Sequence, residues 1–156
     1  MDFYPLFEWF EATPIGAGIK DSIWLFPVIE TVHLLALATL GGAVLMVDLR
    51  LLGAGLTGQP PSLIERNVRP WLIGAILTMA TTGVLLGLSE ALKLYGKPAF
   101  WVKMCALAAA LVFTFTVRNP LARRDAPSAM AARIVAAISL TLWLTVALAG
   151  RWIGFS

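Results

Sequence analysis

Two ionisable residues stand one helical turn apart inside an apolar stretch, in Pro27-Val-Ile-Glu-Thr-Val-His33. An ionisable group within such a stretch is expensive, which makes it a functional candidate by default. Glu30 can carry a proton, and His33 can ligate a metal through a ring nitrogen. At ~100° per residue, Glu30, Leu37, Gly41 and Asp48 fall on one line, with His33 about 60° to its side. One helix face therefore combines a carboxylate, an imidazole, a glycine notch and, farther along, Asp48. A flat or bulky group can lie against Gly41 and Gly42, because no side chain holds it away.

Three chemistries are open to Glu30 and His33. They can be a buried polar pair that holds helices together. His33 can be an axial ligand to haem iron, a common role of histidine in helical bundles. Or the two can form the Glu-x-x-His half of a non-haem metal site. The chain has one histidine, so that last site exists only between protomers.

Other polar residues extend the picture. Counted from the span ends, His33 and Met79 lie level, and Met is a known partner to His on haem iron. Met79 can equally be core packing. Thr78, Thr81 and Thr82 make the same level polar. Nearer the span ends stand Glu90, Lys93, Lys103 and Arg151. Lys103 and Arg151 are the cations for haem propionates, or for the headgroup of a lipid or quinol. The alternative for Lys103 is an ion pair with Glu90.

These residues need helices across a bilayer to position them. Of the 156 residues, 59% are hydrophobic and 13% charged, against about 25% charged in an ordinary soluble protein. Four stretches approach the ~20 residues that span a hydrocarbon core, at residues 23–47, 71–89, 99–117 and 132–150. Asp21 and Ser22 can cap the first. Pro70 and Pro98 mark helix starts, and Asn119-Pro120 closes the third span. Trp24, Trp71, Trp101 and Trp152 sit where indoles collect at membrane interfaces. Gly83 and Gly87 form a GxxxG suited to close helix contact. The fold expected is an all-α integral membrane four-helix bundle, one domain, with a short amphipathic interfacial helix ahead of it.

Charge sets the orientation. Residues 48–70 and 118–133 hold seven of the twelve Lys and Arg, against five on the other side. The positive-inside rule then places those two loops in the cytoplasm and both termini outside, periplasmic in a bacterial inner membrane. The net charge of +3 is scattered between apolar runs, which excludes a nucleic-acid partner. Residues 1–16 carry Asp2, Glu8 and Glu11 and no basic residue, unlike a cleavable signal peptide. There Phe3, Leu6, Phe7 and Phe10 recur at helical spacing until Pro14 and Gly16 break the pattern. The resulting helix is an anchor on the membrane surface or a lid over what opens there. Cys105 stands alone and says nothing of redox compartment.

The run Trp24-Leu-Phe-Pro27, Glu30-Thr-Val-His33, Gly41-Gly42 and Asp48-Leu-Arg50-Leu-Leu-Gly53 resembles a family of small bacterial four-helix membrane proteins known only as a domain of unknown function. Thr82-Gly83, Phe100-Trp-Val-Lys103, Trp143 and Gly150-Arg151-Trp152-Ile153 continue the resemblance. More remotely, the order of features is similar to the HemJ-type protoporphyrinogen oxidases and the CopD-type copper-resistance proteins. The oxidases have a haem-ligating histidine in the first helix, then a glycine, an arginine and a lysine early in the third helix. His33, Gly41, Arg50 and Lys103 occupy comparable places, so the resemblance implies a haem b site.

The expectation is a haem b redox protein that passes electrons between a quinol or periplasmic partner and an acceptor. His33 is its ligand, Met79 a second ligand, Lys103 and Arg151 its propionate partners, and Gly41 its notch. Glu30 tunes the site or carries a proton. Quinone or another metal ion are the other cofactors to consider, and a homo-oligomer is compatible. The rival is a non-redox structural or accessory subunit, or a small permease for metal or solute.

Overall fold

The computed structural model describes residues 3–124 and 127–155, and among these every regular element is helical. Four helices are long and apolar enough to cross a membrane: Leu25–Leu52, Pro61–Ser89, Pro98–Ala122 and Ala129–Ile153. At ~1.5 Å per residue each exceeds the ~30 Å of a hydrocarbon core. Their outward surfaces are apolar, with Leu35, Leu77, Val84, Val112, Leu144 and Leu148 all exposed. Such a surface requires lipid as its solvent, so the chain is a multi-pass membrane protein in a bilayer.

Two short helices precede the spans, α1 (Tyr4–Glu11) and α2 (Pro14–Asp21). Met1 and Asp2 lie outside the described residues. Pro14 starts a helix where a break was expected, because its missing N–H costs nothing at a first turn. Thr13 caps that turn, its Oγ1 accepting from Gly16 N–H at 3.2 Å. Gly16 lies so close to α4 (Pro61–Ser89) that a Cβ there would stand 2.7 Å from the Leu88 carbonyl oxygen. The segment is thus packed onto the bundle rather than resting on the membrane alone. Phe7 turns inward against Tyr95, Phe100 and Trp101, while Leu6 and Trp9 stay exposed.

The spans are longer than hydropathy places them. Helix α3 (Leu25–Leu52) begins two residues late, with Ser22 Oγ accepting from Leu25 N–H, and ends where Gly53 adopts a left-handed φ of 75°. Helix α4 starts at Pro61, so Pro70 is interior. Pro70 is exposed there, and membrane helices tolerate such a proline. A short α5 (Ala91–Tyr95) leads to α6 (Pro98–Phe113). The third span does not stop at Asn119-Pro120. It passes through a π-helical turn, Thr114–Arg118, into α7 (Asn119–Ala122). Pro120 has no N–H to give, and the Asn119 N–H reaches back five residues to the Thr114 carbonyl. Helix α8 (Ala129–Ile153) completes the bundle.

Helix α3 packs along both α4 and α8, and α6 packs along α8, whereas α4 and α6 share no extended contact. The buried core gathers in the half that contains Asp48, around Leu40, Val44, Val47, Leu72, Ala110 and Ala136. A polar knot ties that half. Arg118 Nε donates to Asp48 Oδ1 at 2.6 Å, and Ser139 donates to Asp48 Oδ2 at 2.7 Å. The other guanidinium nitrogens donate to Asn119 Oδ1 and the Val44 carbonyl. Trp143 Nε1 donates to Thr114 within the π turn. Glu65 and Arg123 form a second pair beside it.

Candidate functional site

The other half, which contains His33, is open. No residue is buried from 25 to 35 on α3 or from 98 to 109 on α6, and Thr82 is the sole buried residue from 76 to 88 on α4. His33 projects into this half and is only partly buried. Its Nδ1 lies 2.8 Å from Thr82 Oγ1. The Thr82 hydroxyl proton is committed elsewhere, since Oγ1 donates to the Thr78 carbonyl at 2.7 Å. With that proton on the Thr78 carbonyl, Thr82 accepts and Nδ1 carries the ring proton. Nε2 keeps its lone pair. This is how proteins orient a ligating histidine, by fixing one nitrogen so that the other can bind.

Gly83 makes the approach feasible. A Cβ there would meet the imidazole Cε1 at 3.4 Å, so a larger residue would crowd the ring. The glycine pair read as a helix-contact motif acts at this one position, because Gly87 has nothing within 4 Å. Lys103 reaches in from α6. Its aliphatic stem and ammonium lie across Gly150 at 3.6–3.7 Å from where a Cβ would be, and its charge is within electrostatic range of His33. Among the described residues no hydrogen bond or ion pair holds the Lys103 ammonium. Glu90, its expected partner, pairs with Lys93 at 3.0 Å instead, because the two are one helical turn apart.

The remaining expected residues fall elsewhere. Glu30 is exposed and makes no bond to His33, so the two are not a pair. Asp48, on the same helical line, is fully buried because Arg118 and Ser139 cover the line at that level. Gly41 faces open space, with nothing within 4 Å of a Cβ. Met79 lies about one turn, ~5 Å, toward Asp48 from the residues the imidazole touches, and it packs against the core. The level drawn between His33 and Met79 assumed a helix starting at Ile23, where residues 22–24 are not helical. Arg151 is exposed, its guanidinium 4.3 Å over the Phe155 ring. Among the described residues no group of three or more His, Cys, Asp or Glu could hold a metal ion.

Residues that a reading of the sequence passed over matter as much. Thr82 counted only as general polarity, yet it sets the tautomer of His33. Arg118 counted as a loop cation, yet it is 1% exposed and central to the buried knot. Arg50 donates to the Gln59 carbonyl. Residues 6–156 match DUF6644, described as a family of unknown function, and the chain belongs to that family. No curated protein and no solved structure matches it.

Proposed function

We propose that this member of DUF6644 is a membrane-embedded haem b redox protein that passes electrons between a quinol or periplasmic partner and an acceptor. The observation that carries the reading is the Thr78–Thr82–His33 chain, which engages Nδ1 and leaves Nε2 without a partner among the described residues. The donor set fits haem: His33 would ligate the iron and Lys103 would meet a propionate, since its ammonium has no anion among the described residues. Met79, packed against the core, and Arg151, over the Phe155 ring, are not gathered with them. Haem b supplies one-electron redox chemistry when bound. The chain's own part is to orient the imidazole through Thr82, keep space beside it at Gly83, and hold a cation at Lys103. Glu30, exposed on the same helix, would tune the site or carry a proton.

The order His33, Gly41, Arg50 and Lys103, similar to that of the HemJ-type oxidases, also supports the reading. The orientation with both termini periplasmic in a bacterial inner membrane belongs to the proposal too. With the partly or fully buried Lys103 and Arg118 set aside, six basic residues against four still favour it.

A non-redox structural subunit is the second reading. It is favoured by the Asp48–Arg118 knot, the most completely buried polar constellation in the bundle. Visible spectroscopy of protein from haem-replete cells separates the two. The redox reading expects a Soret band that His33→Ala removes while unfolding is little changed. The structural reading expects no band, and loss of stability or assembly in the same variant.

A further inference from the structure

A cavity of about 480 Å³ opens where the N-terminal helices meet the bundle. Its wall includes Glu11 and Lys20 from α1 and α2, Phe26 from the first turn of α3, Ser89 from the end of α4, and Glu90 and Lys93 beyond it. The charges form two neutral pairs, Glu11 with Lys20 and Glu90 with Lys93. Glu11 is oriented from both sides. Its Oε1 accepts from Lys20, and its Oε2 accepts from the Leu92 N–H at 3.0 Å. Neither His33 nor Lys103 touches this cavity, so it is separate from the site described above.

We propose that this cavity binds a phosphoethanolamine group, the zwitterionic headgroup of a membrane lipid. Two ammonium groups and two carboxylates share one wall. An anionic ligand would meet the carboxylates, and a cationic ligand would meet the ammonium groups. A net-neutral ligand with both charges satisfies all four, its phosphate accepting from Lys20 and Lys93 and its ammonium donating to Glu11 and Glu90. Both lysines are more than half exposed, so they can turn toward a phosphate without leaving a buried site. The cavity lies at the ends of α3 and α4, the depth at which headgroups sit beside a spanning helix. A choline headgroup lacks the N–H donors that the carboxylates require.

Native mass spectrometry of the delipidated full chain tests this with an equimolar mixture of phosphatidylethanolamine, phosphatidylcholine and phosphatidylglycerol. Phosphatidylethanolamine should be retained about tenfold over the others, the discrimination of one charge-assisted hydrogen bond. Glu90→Gln with Lys93→Gln should abolish that preference without changing thermal unfolding, because an exposed one-turn pair contributes little to stability. Equal retention of the three lipids, or a variant that keeps the preference, would overturn the proposal. Soluble O-phosphoethanolamine is the second arm. Displacement of the lipid by it at millimolar concentration would support the same chemistry with a free ligand as source. Retained preference without displacement would support the lipid.

Discussion

In the Asp48 half each buried charge has its partner inside the chain, whereas in the His33 half the imidazole Nε2, the Lys103 ammonium and the Glu30 carboxylate have none among the described residues. The contrast lies in packing as much as in chemistry. Arg118 and Asp48 are 1% and 0% exposed, and helix α3, the π turn of the third span and helix α8 all contribute to their bonds. Around His33, only α4 supplies a hydrogen bond. A bilayer cannot satisfy polar groups with water, so a network in which every buried charge is paired serves stability, with the Asn119 Nδ2 left over among the described residues. Groups left open in the same membrane are the ones the proposed haem would engage.

The largest expected effect breaks the closed half. Arg118→Leu leaves Asp48 buried without a counter-charge and should destabilise the protein by about 3–5 kcal/mol. Thermal or denaturant unfolding in detergent measures it. Leu at both Asp48 and Arg118 should cost less than the single change, since no orphan charge remains. If the double variant were the worse of the two, the pair would be a net source of stability and not only a matched set.

Changes in the open half should act on ligand binding first. Thr82→Val keeps volume but removes the acceptor that fixes Nδ1–H. Haem affinity should fall about 10–100-fold, the usual cost of losing a residue that orients a metal ligand. Haem titration of the apoprotein by absorbance reads this directly. His33→Ala should cost only about 1 kcal/mol in unfolding, because its one neutral hydrogen bond is partly solvated. A loss as large as that of Arg118→Leu would show that both halves are structural.

The smallest effect concerns the N-terminal helices. The Lys20 ammonium and the Leu92 N–H hold the Glu11 carboxyl below its ordinary value of 4.5. A depressed carboxylate contributes its full stability above that ordinary value and loses it as pH falls through the lower folded one. Protease cutting between α1 and α2 should therefore stay constant from neutral pH down to about 4.5 and rise only below it. Glu11→Gln should cut faster at neutral pH and lose that dependence.

Hydropathy and helix length made the four spans legible, because ~20 apolar residues have few other uses. That Asp48 stands on a polar line of the first span was legible as well, and an ionisable group there is expensive without a partner. That Arg118 lies inside the bundle was not, because Pro120 reads as a stop and a π turn leaves no pattern in sequence. His33 stood out as the lone histidine in an apolar run. Its partner did not, because the level opposite it depends on where α3 begins, and residues 22–24 break the count by less than a turn. Glu65 with Arg123 escaped notice because each reads as a loop charge until α4 and α7 bring them together.

The central claim is that Nε2 of His33 binds haem iron, and the absorption spectrum tests it most directly. Wild-type protein and His33→Ala are purified from haem-replete cells and compared oxidised and reduced. The wild type should show a Soret band and reducible α and β bands. The variant should lack them while it unfolds at nearly the same temperature. A colourless wild type with no iron by elemental analysis and haem in excess, or a variant that keeps the bands, would contradict the claim.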